Sequence, residues 1–149
     1  MIETFVLTVS YPMRLMATWL AVAFLKAVGV SVTAERTLMS LDSGTTQIAV
    51  TDACSGVEQL GGLVVVGLLF ACLMQNGWGW RMLHWATILP CVVLANAVRL
   101  VVTVLLVGAL GDVVLGDVWH VSLGWAQTAL AVVFLWIFGL AVAYIARMK

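Results

Sequence analysis

Four long apolar runs divide the chain, and each is long enough to cross a bilayer as a helix. They cover residues 13–32, 54–75, 83–107 and 119–146. A transmembrane helix needs about 20 predominantly apolar residues, and backbone groups in lipid have to be satisfied within their own segment, which favours helices. The pattern therefore predicts an all-α integral membrane protein, a four-transmembrane-helix bundle in which residues 1–149 form a single domain.

The longest polar stretch, residues 33–53, separates the first two runs. It contains a turn signal at 42–44 (DSG), and the following segment 45–50 carries Thr, Ile and Val, which suit an extended strand. We expect this stretch to form a small extended or hairpin-like loop on one membrane face. A tight turn at 76–79 and a short acidic loop at 108–117 are expected to join the later helices.

Composition supports the membrane interpretation, since 64% of the residues are hydrophobic and 9% are charged. The formal net charge is zero, so there is no electrostatic basis for binding nucleic acid. The three cysteines have no CxxC spacing, which argues against a disulfide framework or a zinc site. We expect no metal and no cofactor. Cys72 and Cys91 lie within apolar runs and are predicted to be small buried hydrophobes.

The distribution of basic residues predicts the orientation in the membrane. Threading four spans leaves only Arg36 among the Lys and Arg residues of one side, whereas the opposite side carries Arg14, Arg81, Arg147 and Lys149. Because loops rich in Lys and Arg stay in the cytoplasm, both termini are expected there. The polar loop then lies at the outer face of a plasma or inner membrane.

Polar groups from three different spans are predicted to meet near that outer face. Arg99 and Glu58 are ionisable residues inside apolar runs, where a charge is costly and marks a functional or paired group. Cys54 opens the second span and shares its face with Glu58. His120 opens the fourth span, and Asn96 lies on the same face of the third span as Arg99.

Cysteine, histidine and arginine are the side chains that nucleophilic thiol chemistry requires. A thiolate attacks, an imidazole moves protons, and a cation stabilises the developing negative charge. Each residue also has a structural interpretation, because Arg99 and Glu58 can form an ion pair that holds two helices together. The coincidence of all three groups at one depth favours a catalytic set of Cys54, Arg99 and His120.

Three short motifs in order along the chain resemble those of one family. Residues 53–56 (ACSG) resemble the signature that opens a helix in exosortases and archaeosortases, and residues 96–99 (NAVR) resemble their N-x-x-R signature. His120, followed by Gly124, resembles their third element. The chain departs from many members in having one helix ahead of this core. It also carries Glu58 where many exosortases have a basic residue.

The resemblance implies a membrane-embedded cysteine transpeptidase with Cys54, Arg99 and His120 as catalytic residues. Supporting or substrate-binding positions are then Ser55, Gly56, Glu58 and Asn96. Family members recognise exported proteins by a C-terminal motif, a hydrophobic helix and a basic tail. The resemblance implies that the chain cleaves near such a motif and transfers the protein to a membrane lipid or surface glycan acceptor.

Three alternatives remain open on the sequence. One is an intramembrane cysteine protease that uses water as the acceptor. Another is a non-enzymatic transporter subunit or assembly factor in which Arg99 and Glu58 form a structural ion pair. The third is an accessory protein for export of surface polysaccharide or protein.

Overall fold

The computed structural model describes residues 2–41, 46–49, 57–75 and 77–148, and it is mostly helical. Within these ranges a small sheet follows the first helix, and four further α-helices follow the sheet. In chain order the elements are α1 Ile2–Ala27, β1 Val32–Glu35, β2 Leu38–Leu41, β3 Thr46–Ala49, α2 Val57–Met74, α3 Trp78–Ala86, α4 Ile88–Leu110 and α5 Asp117–Arg147. A 3₁₀ turn, Asp112–Leu115, joins α4 to α5.

Helix α4 forms the centre of the packing. It lies between α1 on one side and α5 on the other, while α2 packs mainly against α5. Apolar side chains such as Val92 and Val104 are almost completely buried along α4, and they join Leu25 of α1 and Leu135 of α5 in one core cluster. The faces of α4 that touch these neighbours also carry Asn96 and Arg99, which are enclosed by protein, whereas Leu89 and Leu105 lie on its exposed face.

Two helical stretches within the described residues are long and apolar enough to span a membrane, 78–110 and 117–147. At about 1.5 Å per residue, α4, which forms most of the first stretch, and α5 each exceed a hydrocarbon core of about 30 Å. The second stretch buries little of itself in protein, and Val118 and Trp125 are 78% and 74% exposed. Such surface is stable in lipid. The predicted number of four spans is not established, although α1 and α2 are also largely apolar.

The first helix differs at both ends from the predicted range 13–32. It begins at Ile2 and continues through Pro12, a residue that usually interrupts helices. It ends at Ala27 because Gly29 adopts a φ of 85° and closes a C-terminal cap. The N–H of Val30 donates to Leu25 O at 2.9 Å, and the N–H of Gly29 donates to Lys26 O at 3.1 Å. This is the Schellman pattern that stops an α-helix.

The predicted third helix, 83–107, is two helices in the structure. Trp78 and Gly79 are helical rather than part of a turn, so α3 begins directly after Gly77, whose φ is 110°. The break falls at Thr87, whose hydroxyl donates to His84 O at 2.6 Å. Pro90 has no N–H to donate to the preceding turn, which weakens the helix at the same place. Helix α4 then extends to Leu110, beyond the predicted end.

The other predicted boundaries are closer to the observed ones. Helix α2 ends at Met74 and its described part starts at Val57, while the predicted start at 54–56 lies outside the described residues. Helix α5 begins at Asp117 and ends at Arg147, against a predicted range of 119–146. The expected acidic loop before it is largely helical, because α4 and the 3₁₀ turn occupy most of it.

A three-stranded antiparallel sheet occupies the long polar stretch, with β2 in the centre. Strand β3 lies within the segment predicted to be extended, whereas the expected turn at 42–44 lies outside the described residues. Val32, Met39 and Ile48, one from each strand, are buried and belong to the same core cluster as α1 and α4. The sheet therefore packs onto the helices through one apolar face.

Candidate active site

A cavity of about 490 Å³ lies between α2, α4 and α5. Helix α2 supplies Gly62, Leu63 and Val66 to its wall, and α4 supplies Arg99. Most of the wall comes from α5, whose contributing residues are His120, Val121, Gly124, Trp125, Thr128 and Val132. The lining is mainly apolar, and the guanidinium of Arg99 and the imidazole of His120 are its two ionisable groups among the described residues.

Arg99 is held against α5 from the central helix. Only 6% of its surface is exposed. Its Nη1 donates to Gln127 Oε1 at 3.0 Å, and its Nη2 donates to the backbone carbonyl of His120 at 3.2 Å. Both contacts tie the guanidinium to α5. The guanidinium is a planar fork of donors, and two of its nitrogens are hydrogen-bonded to acceptors on that helix.

His120 lies in the first turn of α5, where the sequence predicted the start of a helix. Its side chain is half-buried and lines the cavity. Gly124 and Thr128 follow at helical spacing on the same wall. The structure thus brings two of the three predicted catalytic side chains, from different helices, to one cavity.

The third predicted residue, Cys54, lies outside the described residues, as do Ser55 and Gly56. The backbone of Glu58 belongs to the first turn of α2, but its side chain is also outside the described part. Their roles therefore stay predictions. The described part of α2 begins at Val57 and contributes Gly62 to the cavity. The predicted nucleophile is thus eight residues before a cavity-lining residue in the sequence.

Asn96 lies on α4 one turn before Arg99, as predicted, and is 1% exposed. Its Oδ1 and Nδ2 have no hydrogen-bond partner among the described residues. The amide that contacts Arg99 is that of Gln127 instead. A direct or orienting role for Asn96 stays a prediction.

Sequence reasoning did not identify Gln127. Its side chain is 2% exposed and its Oε1 accepts from Arg99. A signal was present, because Gln127 follows His120 by two helical turns and is a polar residue within an apolar span. The sequence prediction included the amide of Asn96 but not that of Gln127, although both are polar groups within apolar runs and each indicates a buried polar contact.

The remaining cysteines differ from each other in environment. Cys91 is completely buried on α4, as predicted. Cys72 is exposed on α2, so the prediction that it would be buried is wrong. It faces away from the neighbouring helices and fits a lipid-facing position, where a small apolar side chain is also stable.

The fold and the cavity define a helical membrane protein with a buried arginine and a histidine at a shared site. A sequence model of the transmembrane exosortase family matches residues 1–137, which is most of the chain. The chain belongs to the transmembrane exosortase family, and is thus in general terms a membrane sorting enzyme. Comparison with curated proteins and with solved structures gave no match.

Proposed function

We propose that the chain is a cysteine transpeptidase that cleaves the C-terminal sorting signal of exported proteins and transfers them to a membrane lipid or surface glycan. The observation that supports this proposal is the shared cavity, which Arg99 and His120 line from two different helices. Family membership supports the sorting role. The apolar wall suits a substrate whose own hydrophobic helix lies beside the bundle.

The first half of the proposed reaction is acylation. The Cys54 thiolate attacks the carbonyl carbon of the scissile peptide bond and forms a C–S bond. Arg99 stabilises the resulting oxyanion with its fixed positive charge, an effect worth about 2.7–4 kcal/mol per donor in known enzymes. His120 protonates the departing amine as the C–N bond breaks, which leaves a thioester on Cys54 and releases the helix-and-tail fragment.

The second half is transfer. The neutral imidazole of His120 takes a proton from the incoming acceptor nucleophile, which attacks the thioester carbonyl. The C–S bond breaks, and Cys54 leaves as a thiolate. Arg99 stabilises the second oxyanion as it did the first. In this scheme both termini are cytoplasmic and the site lies at the outer face, which gives it access to exported substrates.

The test of this function uses a tail reporter: a secreted protein fused to a C-terminal motif, hydrophobic helix and Arg-rich tail from the same genome. Co-expression with the native chain is expected to shorten the reporter. Cys54→Ala is expected to abolish cleavage, while Cys72→Ala and Cys91→Ala retain it and serve as matched controls. An active Cys54→Ala variant contradicts the nucleophile assignment.

A second experiment separates transfer from hydrolysis. Hydroxylamine attacks a thioester in place of the natural acceptor, so the cleaved reporter should be released as a C-terminal hydroxamate, which mass spectrometry detects. The hydroxamate reports the thioester in either case, so the product formed without hydroxylamine decides: transfer leaves the reporter joined to a lipid or glycan, whereas a native chain in membranes that leaves only the free carboxylate is a protease.

A non-enzymatic role is the second candidate, and one observation favours it. The two described contacts of Arg99 both join α4 to α5, which is what a purely structural arginine would also do. This alternative predicts that the reporter stays intact with the native chain and with each of the three cysteine variants. It also predicts that loss of Arg99 changes stability and nothing else.

A further inference from the structure

We infer that Gln127 is the positioning residue that holds the Arg99 guanidinium at the cavity wall. This inference rests on the proposed function, in which Arg99 stabilises the oxyanion. Gln127 accepts from Arg99 Nη1 at 3.0 Å, and it is not among the residues that line the cavity. It therefore acts through Arg99 rather than on the substrate.

Two hydrogen bonds from Arg99 fix the orientation of its guanidinium plane. Nη1 is bound by Gln127, and Nη2 is bound by the backbone carbonyl of His120. Two acceptors on one helix, each holding a different terminal nitrogen, restrict rotation of the planar group about its bond to Nε. Of these two acceptors, the backbone carbonyl persists in any substitution of His120, whereas the Gln127 amide depends on its side chain.

Burial makes the Gln127 side chain a rigid support. It is 2% exposed, and Ala131 and Leu135, which follow it at helical spacing on α5, are buried as well. Its Nε2 has no hydrogen-bond partner among the described residues. A buried amide that leaves its donor unpaired is unfavourable by itself, so the contact made by the oxygen is the only described reason for a polar group there.

The choice of an amide also has an electrostatic consequence. Glutamine offers Arg99 an acceptor without adding a negative charge beside it, whereas glutamate of the same shape would add one. A carboxylate at this distance would reduce the positive potential that the cavity receives from the guanidinium. A leucine would keep the volume and remove the acceptor. These two substitutions therefore separate the positioning of Arg99 from its charge.

The first experiment measures cleavage of the tail reporter in membranes by the full chain. Gln127→Leu is expected to lower kcat by on the order of tenfold to a hundredfold with little change in KM, because a misplaced catalytic group costs about that much. Gln127→Glu is expected to lower kcat as well while thermal stability is maintained or increased, since the carboxylate still binds Arg99. The matched control is Gln75→Leu, another buried glutamine, whose Nε2 donates to Gly139 O at 2.9 Å.

Normal turnover in Gln127→Glu overturns the electrostatic part of the inference, and normal turnover in both variants overturns it entirely. If Gln127→Leu does not fold, the isosteric Gln127→Glu variant still decides, because a merely structural contact would be preserved by the ion pair. Gln75→Leu should affect stability and leave kcat unchanged. An equal loss of kcat in Gln75→Leu contradicts a specific effect of Gln127 on the site.

The second experiment does not depend on cleavage. In the native chain labelled with ¹⁵N-arginine, the Arg99 Nη signals should be separate because rotation of the guanidinium is slow. They should merge in Gln127→Leu and stay separate in Gln75→Leu. If the native chain does not cleave the reporter, the proposed function fails, and these spectra still decide whether Gln127 holds Arg99. Unchanged Nη signals in Gln127→Leu overturn the inference.

Discussion

Arg99 is the residue at which the catalytic and structural interpretations make different predictions. Its two terminal nitrogens reach different acceptors on α5, and only the planar fork of arginine can do this with a charge that is not lost. Arg99→Lys keeps a charge but places it at a single point. We expect reporter cleavage to fall by on the order of a hundredfold or more, with little change in melting temperature.

The control for this substitution is Arg81→Lys. Arg81 donates from Nε to Gln75 O at 3.3 Å and does not line the cavity, so cleavage should be retained. The double variant Arg99→Leu with Glu58→Leu gives a further comparison, because apolar replacement of a buried ion pair is often neutral or stabilising. The catalytic interpretation expects a stable, inactive protein. An active double variant would remove Arg99 from the catalytic set.

At single positions, the sequence identified candidate site residues best where an ionisable side chain lies within an apolar run. The cost of burying Arg99 required an explanation, and the predicted depth of His120 at the start of its helix agreed with that of Arg99. Gln127 gives a weaker signal in the sequence than Arg99 does, because a neutral amide costs less free energy to bury than a charge. Its importance comes from a contact between two helices, which depends on how the helices rotate against each other.

At the scale of elements, α3 and α5 pack closely against each other where Gly139 of α5 meets His84 of α3. A Cβ at Gly139 would lie 2.5 Å from His84 Cε1 and 3.0 Å from Met74 Sδ. The His84 ring is completely buried, so it cannot turn out into the surroundings without disturbing its neighbours. Gly139→Ala is therefore expected to destabilise the protein by about 1–3 kcal/mol, the usual cost of overpacking, and thermal unfolding in detergent would measure it.

The matched substitution is Gly108→Ala, in the last turns of α4. A Cβ there would meet no atom within 4 Å, and alanine favours a helix over glycine by up to about 1 kcal/mol. Its melting temperature should be unchanged or slightly higher. A melting temperature for Gly139→Ala that equals that of Gly108→Ala would contradict the close packing of α5 against His84.

Helix boundaries were predictable where apolar runs ended in polar residues, as for α5, and unpredictable where local geometry decided. The apolar run predicted a start of the first helix at residue 13, but the helix begins at Ile2 and passes through Pro12. Gly29 carried the stop signal for α1, and its meaning depended on hydrogen bonds that composition does not reveal. The break at Thr87 likewise depends on a side-chain hydrogen bond within an otherwise continuous apolar run.

At the scale of the whole molecule, the orientation in the membrane can be tested directly. The distribution of basic residues predicts cytoplasmic termini and an outer polar loop. With the native cysteines replaced by alanine, Ser43→Cys should react with a membrane-impermeant maleimide on intact cells, whereas Lys149→Cys should react only after permeabilisation. The reverse pattern would put the predicted site at the cytoplasmic face and remove its access to exported substrates.

The central position of α4 has a consequence for how the protein is made. Helices α1 and α2 touch each other only marginally, while α1 packs extensively on α4 and α2 on α5. Both early helices therefore leave the ribosome before their main partners exist. During this interval, the face of α1 that carries Ala17, Ala21 and Leu25 lacks α4, its main partner in the finished fold. The nascent first half must depend on lipid or on the insertion machinery until translation has passed Leu110, and a ribosome stalled earlier would leave a fragment without its core.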